Sequence, residues 1–213
     1  MGFLLREKSG CDTIKNEVEK LDKDLLILKE FSDAQLQYLF DIMKKQAFIT
    51  CSLKDDIKQD IHAHVEEVAD ELCRFGGNTF ANVYRGKGVS YLEILQDIFT
   101  CHKLRFETCD DAKTLEEKLL KAFFVKSWNE MDTKTKKEIL EGIKRSALWG
   151  DAKDKVVKSG GVGFVSTLFL GPLGNTILLG TVVKMVTGPA MRVLLPCVLF
   201  VAGTRQSLGG NKS

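Results

Sequence analysis

The residues of this chain best suited to hold a metal or attack a substrate are its three histidines and six cysteines. His62 and His64 lie two apart on a predicted helix, where their side chains point roughly 200° away from each other and cannot share one ion. His62 and Glu66 have a suitable spacing, yet two ligands do not make a site. Cys101, His102 and Cys109 bring two ligand types together, but no fourth ligand follows at the spacing of a zinc module. The cysteines, at positions 11, 51, 73, 101, 109 and 197, form no CxxC pair and read as free thiols in a reducing compartment. No Ser or Cys stands in a nucleophile elbow, and no histidine has a recognisable acid partner. Asp55-Asp56 and Asp110-Asp111 are adjacent carboxylates that diverge, and each pair sits where a helix N-terminus favours negative charge. The chain is therefore expected to carry no catalytic residue, no metal and no cofactor.

One glycine-rich stretch has the look of a phosphate loop: Phe75-Gly76-Gly77-Asn78 through Tyr84-Arg85-Gly86-Lys87-Gly88. It lacks a preceding strand and the Gly-Lys-Ser/Thr order that sets backbone amides and a lysine around phosphate. Its glycines read instead as two helix breaks that fold three helices back on one another. Arg85 and Lys87 remain able to contact an anion or a partner at that corner. An enzyme using them would have to be stabilised by phosphate-bearing ligands.

The elements that position these residues are helices. Leu21 to Phe31 reads as a short apolar helix, and Ser32 with Gln35 has the form of a capping box for a helix to about Lys45. Ser52 to Phe75 is expected as one long helix, with Ile57, Ile61, Val65, Val68, Leu72 and Phe75 at spacings of three or four. A short helix to about Tyr84 follows, then helices over Ser90 to Lys103, Asp111 to Asn129 and Asp132 to Ala147. No segment alternates apolar and polar residues between turn signals, so the fold class is all-α.

A change in composition divides the chain. All 29 acids lie at or before Asp154, against 25 of the 31 Lys and Arg residues, leaving that part near −4 and the remainder at +6. All three prolines lie in the later part, and Ser159 to Val183 has no charged side chain. The expected organisation is a mobile N-terminal segment over 1–20, a helical-bundle body over 21–150, and a basic, Gly/Pro-rich apolar helical hairpin over 151–213. The hairpin has two readings: a membrane-entering pair of arms, Ser159 to Val183 and Val193 to Thr204, or core helices packed on the body. In the first reading Phe164, Leu168, Leu170, Leu178 and Leu179 contact lipid, while Lys184 and Arg192 reach headgroups. A cationic tail of this kind favours an anionic membrane surface or an acidic protein; its charges are too scattered for nucleic acid. There is no secretory signal, and Arg6 departs from the Ser or Thr of a myristoylation signal, so a cytoplasmic location is expected.

The string Glu71-Leu72-Cys73-Arg74-Phe75-Gly76-Gly77-Asn78-Thr79-Phe80-Ala81-Asn82, with Arg85-Gly86-Lys87-Gly88 and Tyr91-Leu92-Glu93-Ile94-Leu95, resembles the YaaW family of uncharacterised bacterial proteins. Asp24-Leu25-Leu26-Ile27-Leu28, Ser32-Asp33-Ala34-Gln35-Leu36, Trp128-Asn129-Glu130-Met131-Asp132 and Gly188-Pro189-Ala190-Met191-Arg192 are similar to its pattern too. The resemblance runs from about Leu21 to Arg205; the six cysteines and the extension before Leu21 depart from it. The family is often labelled ubiquinol-cytochrome c chaperone-like, and it brings no catalytic residue. Within its motif the glycines shape turns, while Asn78, Asn82 and Arg85 would contact a partner or cap helix ends. The expected function is a non-enzymatic, protein-binding or assembly-like factor with a membrane-associating tail. The alternative is a pore-forming effector whose hydrophobic hairpin is shielded until acid, lipid or a partner releases it.

Overall fold

Asp22 shows how local chemistry sets the frame. In the computed structural model, which describes residues 21–47, 51–76, 88–130, 132–134, 137 and 189–210, its Oδ1 accepts the Asp24 amide at 2.8 Å. Its Oδ2 accepts the amide of Tyr91 at 3.0 Å. One carboxylate thus caps two helices, the 3-10 helix η1 (Lys23–Glu30) and the later helix α3 (Tyr91–Cys101). Both caps supply acceptors to amides that have no partner inside their own helix. Leu21 to Phe31, expected as an ordinary short helix, is therefore a tighter one, with Leu25 and Leu28 fully buried.

Helix α1 (Asp33–Ala47) begins at the expected capping box. The Ser32 amide donates to Gln35 Oε1 at 2.8 Å, and the Gln35 amide returns to Ser32 Oγ at 3.4 Å. Its Leu36, Leu39, Phe40 and Met43 stripe is wholly buried.

The single helix expected over Ser52 to Phe75 is two elements. A 3-10 helix η2 (Asp55–His64) is broken at Asp60, where the backbone is non-helical, and α2 (Val65–Gly76) follows. The physical reason is phase. In a 3-10 helix, residues four apart are rotated by about 120°. Ile57 and Ile61 both reach the core because the break resets the winding between them. The Gln37 side chain takes up the Lys58 carbonyl near the break at 3.3 Å.

Helix α3 has a capping box of Ser90 with Glu93, and α4 (Ala112–Glu130) starts where Asp111 Oδ1 accepts the Thr114 amide at 2.8 Å. Asp110 is held below the usual carboxylate range chiefly by its hydrogen bond from Lys118, and Asp111 chiefly by that from Thr114. The paired acids read as helix-start features indeed lie at the start of α4.

Helix α5 (Pro189–Gly210) is apolar on every side from Val193 to Ala202, as a helix enclosed by others must be. It packs against α1, α2, α3 and α4, and Phe200 meets Phe31 edge-on at 6.2 Å and Tyr38 at 4.8 Å. The second arm of the expected hairpin is thus the central helix of the bundle, and residues assigned to the tail by composition sit inside the body. The first arm, the N-terminal segment and most of the helix expected over Asp132 to Ala147 lie outside the described residues. Among the described residues there is no strand, and no helix is long and apolar enough to cross a membrane.

Replacing Asp22 with Ala removes two caps at once and is expected to lower stability by about 2 kcal/mol. Urea unfolding followed by circular dichroism measures it; a loss below 0.5 kcal/mol, or roughly the value of a surface change, contradicts the double cap.

Candidate functional site

Gly88 brings the far end of the glycine corner hard against α2. A Cβ at Gly88 would lie 2.6 Å from the Cys73 carbonyl carbon and 2.9 Å from the Arg74 nitrogen, both backbone atoms that cannot move aside. At Gly76 a Cβ would overlap the Ile94 side chain. These two glycines are fixed by close packing, and they hold both ends of the corner at the C-terminal turn of α2. The partner-contact candidates Asn78, Asn82, Arg85 and Lys87 lie between them, outside the described residues. So do Phe164, Leu168, Leu170, Leu178, Leu179 and Lys184 of the lipid-contact set; Arg192 is exposed on the first turns of α5.

Arg74, against which Gly88 packs, lines an open cleft of about 610 Å³ between the Ser52–Ile57 stretch and α2. Its floor is Glu71, 3% exposed. Glu71 Oε1 accepts the Ser52 amide at 2.8 Å, Oε2 accepts the Ser52 hydroxyl at 2.5 Å, and the Arg74 guanidinium donates to both Ser52 Oγ (2.9 Å) and Glu71 Oε2 (3.4 Å). Glu71 serves to tie the chain before η2 onto α2. Above it the walls mix signs, with Lys54 and Arg74 among Asp56, Glu67 and Asp70. His64 is held by Glu67 at 2.7 Å and His62 by Asp33 at 3.1 Å, so the two histidines face different acids, as their spacing requires. The described residues contain no cluster able to hold a metal ion. Such a lining offers charge pairing to a polar partner.

A second polar cluster is built around a carboxylate with no solvent exposure. Glu116 on α4 is fully buried, accepts the Tyr91 hydroxyl at 2.8 Å, and lies 2.8 Å from Arg205 Nε of α5. That last contact is ionic, its angle falling outside hydrogen-bond geometry. The Arg205 guanidinium also donates to the Asp24 carbonyl of η1. With Asp22 bonded to Tyr91, a ring closes from η1 to α3, α4, α5 and back to η1. Burial pushes the Glu116 carboxyl up to about 7, against the pull of Arg205 and the Tyr91 hydroxyl. Burial, followed by the neighbouring Glu116, raises the Tyr91 phenol well above its ordinary value.

The sequence reading missed Glu116, Tyr91 and Arg205. A signal was present: Ala112, Leu115, Leu119, Leu120 and Phe123 make the buried stripe of α4, and Glu116 falls within it. An arginine in a segment without acids needs a counter-charge from elsewhere in the chain, and a carboxylate on a core stripe is the natural one.

Together these features define a protein of the all-α class, with a buried carboxylate beside an arginine and an open, mixed-charge cleft beside a glycine corner. The chain is similar to the UPF0174 protein YaaW of Escherichia coli (strain K12), 26% identical over 90% of this chain and 97% of that protein. It is equally similar, at 26% identity over 87% of this chain and 92% of the relative, to a UPF0174 protein of Helicobacter pylori (strain J99). A second protein of that name from the same strain matches at 26% over 70% of the chain. The resemblance to the YaaW family read from the glycine corner therefore holds along nearly the whole chain. No family model matches the chain. No solved structure matches it either.

Gly88→Ala is expected to destabilise the protein by roughly 1–3 kcal/mol or to prevent folding, as overpacking against fixed atoms does. Gly209→Ala, where nothing lies within 4 Å, is the control and is expected to be neutral or slightly stabilising by urea titration.

Proposed function

We propose that this protein is a non-enzymatic helical binding factor that engages a protein partner at the glycine corner and its cleft, and contacts an anionic membrane through Ser159 to Val183. The observation that carries the reading is the fate of the described part of the basic, apolar tail. Its residues Val193 to Thr204 are buried in the core, and Arg205 is turned towards Glu116 at 2.8 Å. The uncharged run Ser159 to Val183, with Lys184 and exposed Arg192 after it, is then the remaining apolar sequence with cations beside it. Apolar residues next to cations favour the interface of an anionic bilayer, through burial of the former and headgroup attraction to the latter.

Because α5 completes the core, truncating the tail would unfold the body, and the test keeps the 213-residue chain. Flotation of the wild type is compared with a Leu168→Lys, Leu170→Lys, Leu178→Lys, Leu179→Lys variant on anionic and neutral vesicles. Wild-type flotation on anionic vesicles at low salt, weakened in the variant and by about 0.5 M salt, is the expected outcome. Equal behaviour of both proteins on all vesicles contradicts membrane contact. Dye release by the wild type would favour the pore-forming alternative over an assembly-like factor.

A further inference from the structure

The residues from Ser52 to His64 are held to the bundle differently from the other elements. Most of them form η2, a 3-10 run of 10 residues broken at Asp60. Such runs are uncommon beyond a few residues because their hydrogen bonds are poorly aligned, so η2 depends on its neighbours for support. Its apolar anchors are Leu53, Ile57 and Ile61, and the rest of its hold is polar. Ser52 is tied to Glu71 at one end. Along α1, Lys44 meets Asp55 at 3.4 Å, Lys58 meets Asp41 at 2.6 Å and His62 meets Asp33 at 3.1 Å. Both members of every pair keep contact with solvent, Lys44 being the least exposed at 29%, so dissolved salt screens all three. Lys58 also lies 4.9 Å from the centre of the Phe40 ring, which is fully buried. The stretch packs on α1 and α2, whereas the elements around α5 are α1, α2, α3 and α4. Lifting it away therefore leaves the helices that enclose α5 in contact with one another.

We propose that Ser52 to His64 form a strap latched to α1 by surface ion pairs, which opens by itself while α1 to α5 stay packed and takes with it one wall of the cleft over Glu71. The cleft follows the strap because Ser52 to Ile57 form one of its walls and α2 forms the other. Opening also uncovers Phe40 and the faces of the bundle on which Ile57 and Ile61 sit. Exposed pairs of this kind each contribute little, so ionic strength tunes the population of the open strap and does not act as an all-or-none trigger. Local opening of this sort is expected where an element has few buried anchors and a solvent-facing seam. Any ligand that spans both walls binds only the closed form, and its apparent affinity falls with the fraction of closed strap. By the same linkage a bound ligand braces the strap against α2. The opening itself is a property of the free protein and holds whether or not a partner is present.

Hydrogen–deuterium exchange of the 213-residue chain, read by mass spectrometry at a single pH in about 0.05 M and about 1 M NaCl, tests the strap. Each rate is divided by that of the same peptide in the unfolded chain at the same salt. Peptides from Ser52 to His64 are expected to exchange faster than those of α3, α4 and α5 at low salt, and about fivefold faster again at high salt. Peptides of α5 should keep their protection. A variant carrying Asp33→Asn and Asp41→Asn loses two of the three pairs, so its strap should exchange faster at low salt and respond less to added salt. Lys118→Gln breaks a pair of 2.6 Å with Asp110 at the start of α4 and should leave exchange of the strap unchanged. Both variants alter surface charges alone and are expected to fold. Exchange of the strap no faster than that of α5, exchange indifferent to salt, or an Asp33→Asn, Asp41→Asn variant that speeds every helix alike each overturns the proposal. Vesicles and partners play no part in the readout, so its outcome is separate from that of flotation.

Discussion

The arrangement of the helices depends on one contact, the approach of Arg205 to the fully buried Glu116 at 2.8 Å in a core built mostly of aliphatic and aromatic side chains. A carboxylate without exposure tolerates few arrangements, because each unmet lone pair costs free energy that water would otherwise supply. The neighbouring elements are set accordingly. Asp22 fixes the first turn of α3 and so the position of Tyr91, Tyr91 donates to Glu116, and Arg205 is steered by the Asp24 carbonyl. Apolar packing alone would allow α5 to slide or rotate in its groove; the ring of polar contacts defines one register. A hydrophobic replacement of the pair could be as stable, so the cluster is better understood as specifying position than as adding net stability.

Much of this was legible in the sequence. The α1 capping box, its four-residue apolar stripe, the end of α2 at the glycine corner and the all-helical class all follow from patterns that act within one turn or one helix. What escaped was of two kinds. The break at Asp60 escaped because apolar spacings of three and four fit a continuous helix and a broken one alike; only the three-dimensional position of Ile57 relative to Val65 separates them. The buried cluster escaped because its members come from residues 22, 24, 91, 116 and 205, and no local pattern joins them. The tail's role was open for a related reason. Uninterrupted apolar sequence suits lipid and protein interior equally, and for Val193 to Thr204 the choice falls on the interior because four other helices offer it apolar faces.

The two polar regions differ in kind. At Glu116 the contacts run inward, to the Tyr91 hydroxyl and to Arg205. The cleft over Glu71 is built the opposite way: its buried carboxylate is used to anchor the Ser52 backbone, while the charges above it face an opening. Gly88 connects this opening to the family's glycine motif by contact with Arg74.

The position of α5 at the centre of the bundle also bears on how the chain is made. Its partners precede it in the sequence, and the contact between Arg205 and Asp24 spans 181 residues. During synthesis α1 to α4 emerge with the faces that will receive α5 still uncovered, and local structure alone cannot close them. Long-range closure of this kind slows folding and prolongs exposure of sticky surface. Newly made chains would therefore remain dependent on protection against aggregation until the ribosome has released the residues of α5.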